Sequence, residues 1–438
     1  MITNIYTKII LFLFLSMGFA SAQEGGTIDS GDTAWMLTSA VLVLLMTLPG
    51  LAFFYGGLVR SKNILSVLVQ CFAMAGIMSL LWIVFGYAVA AGGGDSMYYG
   101  WNKEFVGLEH IAEGTVMGGG SIPESVWVTF QMTFIIISPA IIVGAFAERM
   151  KFTAVLIFTV IWTVLSYLPM WHMVWGGGLF AGGENGNWLM GPGQHAIDFA
   201  GGNVVHINAG IAGLVACIFV GKRKGFPGPS LVPHQVPFVV LGAALLWVGW
   251  FGFNAGSAGG ASGGAGMAML TTQAAAATAV VVWMLLEWII AGKPTAVGVA
   301  TGAVAGLVGI TPAAGSTTVM GAIAIGGITC LVCFFAATKL KHKFGFDDSL
   351  DVFGVHGVGG IVGALLTGYF VREGVHGGMD QVFVQFKSIV VTILWSAIAS
   401  VIALMVAKVT VGLRVDEDVE NIGLDLKEHG EEAYNTES

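Results

Sequence analysis

The sequence predicts an all-α integral membrane protein with about eleven transmembrane helices. Of its 438 residues, 56% are hydrophobic and only 10% are charged, whereas a soluble globular protein carries about 25% charged residues. The apolar residues form continuous runs of about twenty residues, which fits spanning helices and excludes a β-barrel, whose strands alternate over about ten residues. The 65 glycines let helix backbones approach closely in a bundle.

Eleven apolar segments are predicted as spans, of which the eighth is short and rich in glycine. They run from Thr33 to Gly57, Ile64 to Ala91, Ile122 to Ala147, Phe152 to Val174, Phe199 to Val220, Val236 to Ala255, Ala265 to Ile290, Ala296 to Pro312, Thr318 to Ala337, Val352 to Val371 and Val382 to Val411. The predicted transmembrane domain is therefore 33–411, and the charged segment 412–438 is predicted to be a cytoplasmic C-terminal tail.

The first 22 residues have the features of a signal peptide. Lys8 precedes an apolar run that ends in the small residues Ala20, Ser21 and Ala22, the pattern of a cleavage site. The alternative is a twelfth helix, although the apolar run is short for a bilayer span. Cleavage would leave the mature N-terminus outside the cell.

Lysine and arginine residues separate between the two sides that the eleven spans define. One side collects Arg60, Lys62, Arg149, Lys151, Lys222, Arg223, Lys224, Lys293, Lys339, Lys341, Lys343, Lys408, Arg414 and Lys427. The other side carries Lys103, Arg372 and Lys387. Because cytoplasmic loops carry the excess of Lys and Arg, the N-terminus is predicted outside and the C-terminus inside, as in a bacterial inner membrane.

Spans five and ten share the pattern VHxxxGIxG, which begins at Val205 and at Val355. Two halves of five spans each face opposite ways across a membrane. A match between them therefore indicates an inverted repeat of spans 1–5 and 6–10, the plan of transporters with a central binding site. Span eleven is then an extra C-terminal helix.

His206 and His356 occupy the same position in the two copies. Counted from Asp198 and Asp351 at 1.5 Å per residue, their imidazoles lie about 12 Å and about 7 Å from opposite faces of a hydrocarbon layer of about 30 Å. Two neutral rings can donate and accept one hydrogen bond, which suits a small amine or a proton relay. The alternatives are a bond from each ring to a nearby carbonyl, or a metal site, although zinc takes three or four ligands.

Aromatic and acidic residues near these histidines are further candidates. Phe130 and Phe134 in TFQMTF, Trp175 in WHMVWGGG, and Phe253 with Ser257 in WFGFNAGS are placed to hold a cation over their rings. Filling the bundle or anchoring helices at the interface is the alternative role for these rings.

Aspartates precede both histidine spans. Asp198 begins DFAGG and is predicted to cap the helix, because a carboxylate accepts hydrogen bonds from orphan backbone N–H groups. Its effect on binding is then indirect. Asp347, Asp348 and Asp351 are predicted to cap span ten in the same way.

The sequence lacks the motifs of several other function classes. GxxxxGK[ST] and HExxH are both absent, so nothing indicates ATP-driven pumping or an intramembrane metalloprotease. Cys330 and Cys333 lie in an apolar span without a second Cys or His pair and are predicted to pack as small hydrophobes. No enzymatic activity, cofactor, metal site or nucleic-acid binding is predicted.

Taken together, these motifs resemble those of the Amt/Mep/Rh ammonium transporters, and the Amt branch most closely. The resemblance is carried by DFAGGNVVHINAG at Asp198 to Gly210, DDSLDVFGVHGVGG at Asp347 to Gly360, GAFAERMKF, WHMVWGGG, GWFGFNAGS, GITPAAG and the tail GLRVDEDVENIGLDLKEHGEEAY. It extends from span one to the C-terminus.

The resemblance implies that His206 and His356 are twin pore histidines and that Phe134 and Phe253 are a stacked aromatic gate. It implies a channel that conducts ammonia, with or without a relayed proton. A bare cation at the bilayer centre costs from about 2.5 to above 10 kcal/mol, so ammonium would lose its proton before the apolar pore. Potassium has no proton to lose and would be rejected.

The resemblance also implies an outer ammonium site of Trp175, Ser257 and Phe134, with Asp198 as its structural support and Thr311 on the outer pore wall. It implies a homotrimer in the lipid bilayer with one pore in each subunit. In many family members a PII signalling protein binds the cytoplasmic face. The predicted function is thus ammonium transport. A sensor that uses the same site is the alternative, and an intramembrane enzyme or metal channel lacks its motifs.

Overall fold

The computed structural model describes residues 26–117, 120–228, 231–372 and 377–434. The predicted signal peptide, residues 1–22, lies outside the described residues. Within these ranges the chain forms helices and isolated β-bridges, and no β-strand. The all-α prediction is therefore confirmed for the part of the chain that the structure describes.

Nine helices in the described ranges are long and apolar enough to cross a membrane, and two more are apolar but shorter. In chain order they are α1 (Ser30–Leu58), α2 (Ser61–Ala90), α3 (Glu124–Phe146), α4 (Phe152–Trp175), α5 (Gly202–Val220), α6 (Val236–Gly256), α7 (Gly263–Ala291), α8 (Ala296–Ile310, shorter), α9 (Val319–Phe344), α10 (Phe353–Tyr369, shorter) and α11 (Met379–Thr410). The chain is a multi-pass membrane protein. The eleven-span count stays a prediction, because the 15 residues of α8 extend about 22 Å and the hydrocarbon core is about 30 Å thick.

Helix α9 ends at Phe344 rather than at Ala337, where the sequence predicted its end. A π-helical turn over Ala336–Leu340 carries the helix past the apolar segment. The hydropathy of the sequence drops at Lys339 and Lys341. The helix continues because its backbone hydrogen bonds do not depend on apolar side chains. The prediction was wrong because it used hydropathy alone.

Helices α5 and α10 cross in direct backbone contact at glycines. A Cβ atom on Gly210 would collide with the backbone of Gly357. A Cβ atom on Gly360 would lie 3.1 Å from the backbone nitrogen of Ile207. Small residues of this kind allow helices to approach closely in a membrane. The crossing brings the two VHxxxGIxG segments together in the centre of the bundle.

The C-terminal segment packs against the loops that carry the basic residues. After α11 the chain forms the short helix α12 (Glu417–Ile422). The Asp425 carboxylate accepts a hydrogen bond of 2.8 Å from the backbone N–H of Ser66 in α2. The Glu428 carboxylate accepts one of 2.9 Å from the backbone N–H of Phe152, where α4 begins. The described part of this segment is therefore packed into the fold rather than only solvated.

Candidate functional site

The two histidine side chains meet inside the bundle. Nδ1 of His206 lies 3.2 Å from Nδ1 of His356, and the ring planes are 26° apart. Both residues are buried, with exposed fractions of 1% and 5%. One of these nitrogens must donate and the other accept, so at least one of the two rings is neutral.

Each histidine lies on a π-helical turn at the start of its helix, and a carboxylate eight residues earlier binds that turn. The Asp198 carboxylate accepts hydrogen bonds from the four backbone N–H groups of residues 201–204. The Asp348 carboxylate accepts from those of residues 352 and 353, at 3.0 Å and 2.7 Å. These bonds satisfy backbone donors that a helix start leaves without partners. They also fix the two turns that carry the imidazoles.

A row of aromatic rings leads from Trp175 to the histidines. The Phe134 ring lies 6.1 Å from the Trp175 ring, centroid to centroid, and stacks on Phe253 at 4.3 Å. The Phe253 ring lies 6.0 Å from the imidazole of His206. Phe130 packs edge-on against Phe134 at 5.0 Å. The structure thus brings Trp175, Phe134 and Phe253 into one line, with Phe130 packed beside it.

A cavity of about 20 Å³ lies beside Trp175. We call it the outer cavity, because the predicted orientation of the chain places this end of the bundle outside the cell. It is lined by Trp127, Gln131, Trp175, Phe199 and Ser257. This volume holds about one molecule the size of water. The Ser257 hydroxyl donates to the carbonyl of Phe253 at 2.8 Å, so its lone pairs remain for a donor in the cavity. Aromatic faces and one free acceptor suit a small cation.

The wall of the outer cavity is tied to the helix start that carries His206. Nε1–H of Trp175 donates a hydrogen bond of 2.8 Å to the backbone carbonyl of Asp198. The carboxylate of the same aspartate binds the first turn of α5. Asp198 is itself 6% exposed, and it supports the site through the backbone.

A second cavity of about 10 Å³, the pore cavity, runs along the two histidines. It is lined by Met46, Leu51, Phe54, Ile137, Ile141, His206, Leu246, Trp250, Phe253, Val304 and His356. Nε2 of His206 is buried and has no hydrogen-bond partner among the described residues. Since nearly all the other lining groups are apolar, a cation here would lose its hydration without replacement. The pore cavity suits a small neutral molecule.

Trp250 is a lining residue that sequence reasoning missed. Its indole stacks on the imidazole of His206, with centroids 5.4 Å apart and planes 22° apart. Its Nε1–H donates a hydrogen bond of 2.9 Å to the hydroxyl of Thr311. Thr311 is fully buried and is not among the lining residues of the pore cavity. It contacts Trp250, which does line that cavity. The spacing in the sequence could have predicted this residue. Trp250 precedes Phe253 by three residues, and residues three apart share a helix face.

A third cavity of about 200 Å³, the inner cavity, lies on the other side of His356. His356, Phe54 and Val304 line both this cavity and the pore cavity, so these side chains are the partition between them. The Asp351 carboxylate in its wall pairs with the Lys341 ammonium group at 2.7 Å. Asp351 is therefore committed to an ion pair and does not cap α10 as predicted.

Four charged side chains form a network beside the inner cavity. Arg223 contacts Asp347 at 2.8 Å and Glu148 at 3.3 Å, and Arg60 contacts Glu148 at 3.0 Å. Burial alone would raise the pKa of Glu148, but the charges of Arg223 and Arg60 outweigh it and hold that pKa below its ordinary value. The prediction that Asp347 caps α10 was also wrong, because Arg223 binds its carboxylate.

The chain is similar to known proteins over most of its length. The Ammonium Transporter Family profile matches residues 34–434. The ammonium transporter of Aquifex aeolicus (strain VF5) is 46% identical over 440 residues, which cover 98% of this chain and 99% of that protein. The crystal structure of Candida albicans Mep2 is similar with a TM-score of 0.82 at 31% identity, over 92% of each chain. A solved structure named Sensor Amt Protein is similar with a TM-score of 0.80 at 29% identity, over 90% of this chain and 96% of that one.

These matches cover nearly the whole chain, and the family they define is one of transporters rather than enzymes. The apolar helices and the row of cavities fit a protein that moves a small solute across a membrane. The chain belongs to the Ammonium Transporter Family.

Proposed function

We propose that this chain transports ammonium by binding it in the outer cavity, removing a proton, and conducting ammonia past His206 and His356, with or without a relayed proton. The observation that supports this most is the continuous line of groups from Trp175 through the Phe134 and Phe253 pair to the bonded histidines. The wall changes along that line from cation-binding aromatic faces to an apolar passage.

The energetic argument follows from the two cavities. Aromatic faces and the Ser257 lone pairs compensate an ammonium ion for part of its lost hydration. Among the described residues, none that lines the pore cavity carries a carboxylate. A cation at the bilayer centre costs from about 2.5 to above 10 kcal/mol. Ammonia avoids this cost because it is neutral. Selectivity against potassium then follows from chemistry rather than from diameter.

The contact between the histidines supports a relay of protons beside the path of ammonia. A proton on Nδ1 of one ring passes along the existing 3.2 Å contact to Nδ1 of the other ring. Nε2 of His206 has no partner among the described residues, so it can form a hydrogen bond with a small amine or with water. The pair carries charge in steps without holding two cations at once.

The test is a current measurement on the purified chain in liposomes. A pulse of ammonium is expected to evoke a saturable current, and an equal pulse of potassium is expected to evoke none. An equal potassium response would overturn the deprotonation mechanism. Absence of any current would leave conduction of neutral ammonia, which an internal pH indicator detects as alkalinisation.

Sensing is the second candidate function, because a structure named Sensor Amt Protein is similar over 90% of this chain. A sensor would use the same outer cavity to bind ammonium and would pass the signal to an attached domain or a dedicated partner. Saturable ammonium binding without current and without alkalinisation in the same liposomes would favour it over transport.

The proposed membrane arrangement is an inner-membrane protein with a cleaved signal peptide at 1–22, eleven spans within 33–411, and a cytoplasmic tail from 412. The spans are proposed to form an inverted repeat of 1–5 and 6–10 plus one extra helix. The basic loops and the C-terminal segment lie on one face, which supports a cytoplasmic tail. In intact cells, Lys103→Cys is expected to react with an impermeant thiol reagent and Lys222→Cys is not. The reverse pattern would overturn the orientation.

The family resemblance carries two further proposals about partners. The chain is proposed to form a homotrimer with one pore in each subunit, in a lipid bilayer. A PII signalling protein is proposed to bind the cytoplasmic face, where the inner cavity opens beside the basic loops.

A further inference from the structure

The orientation of the Gln131 amide is fixed by a tryptophan. Nε1–H of Trp171 donates a hydrogen bond of 2.8 Å to Oε1 of Gln131. An indole nitrogen is only a donor, so the amide oxygen must face it and the amide nitrogen must face elsewhere. Gln131 is 5% exposed and lines the outer cavity. Its Nε2 has no protein acceptor among the described residues.

The outer cavity is therefore lined by an acceptor and by an amide donor that faces away from Trp171. The acceptor is the Ser257 oxygen, whose proton is committed to the Phe253 carbonyl. The donor is the amide nitrogen of Gln131. The remaining lining side chains are aromatic: Trp127, Trp175 and Phe199.

Ammonium and ammonia differ in how they match these two groups. Ammonium has four N–H donors and no lone pair, so it satisfies Ser257 and leaves the Gln131 donor without a partner. Ammonia has three N–H donors and one lone pair, so it satisfies both. A donor that lacks an acceptor once the cavity is filled is unfavourable, and an N–H directed at a cation is unfavourable as well.

We propose that Gln131 is a specificity-determining residue that favours ammonia over ammonium in the outer cavity. This inference rests on the proposed transport function and adds a residue that favours the deprotonated form of the substrate. One N–H bond of ammonium breaks, and its proton passes to water at the cavity opening. The electron pair left on nitrogen accepts the hydrogen bond from Gln131. The substrate is then neutral before it meets Phe134 and Phe253.

The test is Gln131→Glu, measured as ammonium current in proteoliposomes. The carboxylate keeps an acceptor for Trp171 but replaces the donor with a second, negatively charged acceptor, so it favours ammonium. The half-saturating ammonium concentration is expected to fall about tenfold and the maximal current to fall about tenfold, since one charged hydrogen bond has about this effect. The maximal current is also expected to rise more steeply with external pH than in the unmodified chain, because proton release becomes limiting.

A matched control is available at Gln273. Its Oε1 also accepts a hydrogen bond from an indole, Nε1 of Trp247 at 3.0 Å, but on the exposed surface. Gln273→Met breaks that contact without placing a charge on the outer side of a spanning helix, and it is expected to leave both current parameters and the pH profile unchanged. If Gln131→Glu fails to assemble, Gln131→Met removes the donor without adding charge. It is expected to lower the maximal current, because ammonia loses its hydrogen bond, and to lower the half-saturating concentration, because the N–H that opposes ammonium is gone.

Two outcomes overturn the inference and are distinct from each other. Gln131 variants with the half-saturation, maximal current and pH profile of the unmodified chain would show that the amide only holds Trp171. An unmodified chain without an ammonium-selective response would instead defeat the proposed function, and the inference with it.

Discussion

His206→Ala is expected to lower the ammonium current about 100-fold while the protein still assembles and inserts. The substitution removes one half of the Nδ1–Nδ1 contact and the unpartnered Nε2 edge in the pore cavity. A positioned group that transfers protons contributes about 10² to 10⁴ in rate, and the expected loss lies at the lower end. The measurement is the current per reconstituted protein after ammonium and potassium pulses.

A histidine outside the pore provides the control for this substitution. His342 is exposed and stacks on Phe226 at 5.8 Å, so His342→Ala is expected to keep the full ammonium current. An ammonium current in His206→Ala equal to that of this control, with potassium still rejected, would contradict the relay.

Arg223→Met is expected to reduce the free energy of unfolding by about 3 to 5 kcal/mol, the usual effect of breaking a buried ion pair. Arg223 is 8% exposed and binds both Asp347 and Glu148. Methionine has a similar length but no charge, so both carboxylates stay buried without this partner. Denaturant unfolding of the purified protein in detergent, at pH 7, measures the change.

The pH dependence of this effect has a defined sign. Burial raises the pKa of Asp347, but the hydrogen bonds and charge of Arg223 outweigh burial and lower that pKa below its ordinary value. The pKa of Glu148 is likewise lowered, by Arg223 and Arg60 together. A carboxylate with a lowered pKa in the folded state stabilises the fold above its unfolded pKa, and this stabilisation is lost as pH falls through the folded value. The difference in stability between the unmodified chain and Arg223→Met is therefore expected to shrink as the pH falls below about 5.

An exposed ion pair on the same face serves as the control. Lys224 pairs with Glu417 at 2.5 Å, with side chains 52% and 73% exposed. Exposed pairs contribute about 0 to 1 kcal/mol, so Lys224→Met is expected to change stability little. If Arg223→Met lowers the free energy of unfolding no more than Lys224→Met does, then burial does not make the ion pairs of Arg223 more stabilising than an exposed pair.

The sequence was sufficient for most helix positions because apolar runs and helix ends coincide in this chain. Helix α4 was predicted over Phe152 to Val174 and runs over Phe152–Trp175. The histidine contact was accessible because VHxxxGIxG occurs twice, with glycines at the positions where α5 and α10 touch. A pattern of this kind reports which helix faces meet.

The rest depended on contacts between elements that are distant in sequence. Three aspartates precede α10, and each satisfies the same capping rule, but Arg223 and Lys341 from other elements bind two of them. Equal spacing of eight residues to the histidine would have identified Asp348 as the counterpart of Asp198. The donor of Gln131 became visible only when its partner indole was known.

The stacked rings of Phe134 and Phe253 have a kinetic consequence. They contact Trp175 on one side and His206 on the other, so the barrier between the outer and pore cavities is two phenyl rings thick. Rotation of side chains takes picoseconds to nanoseconds when they are free to turn, whereas rocking of whole helix bundles takes microseconds to milliseconds. If the proposed path is correct, we expect passage to need an opening among these side chains and no rearrangement of the helices. Throughput is therefore expected to be limited by how often the rings part rather than by a conformational cycle.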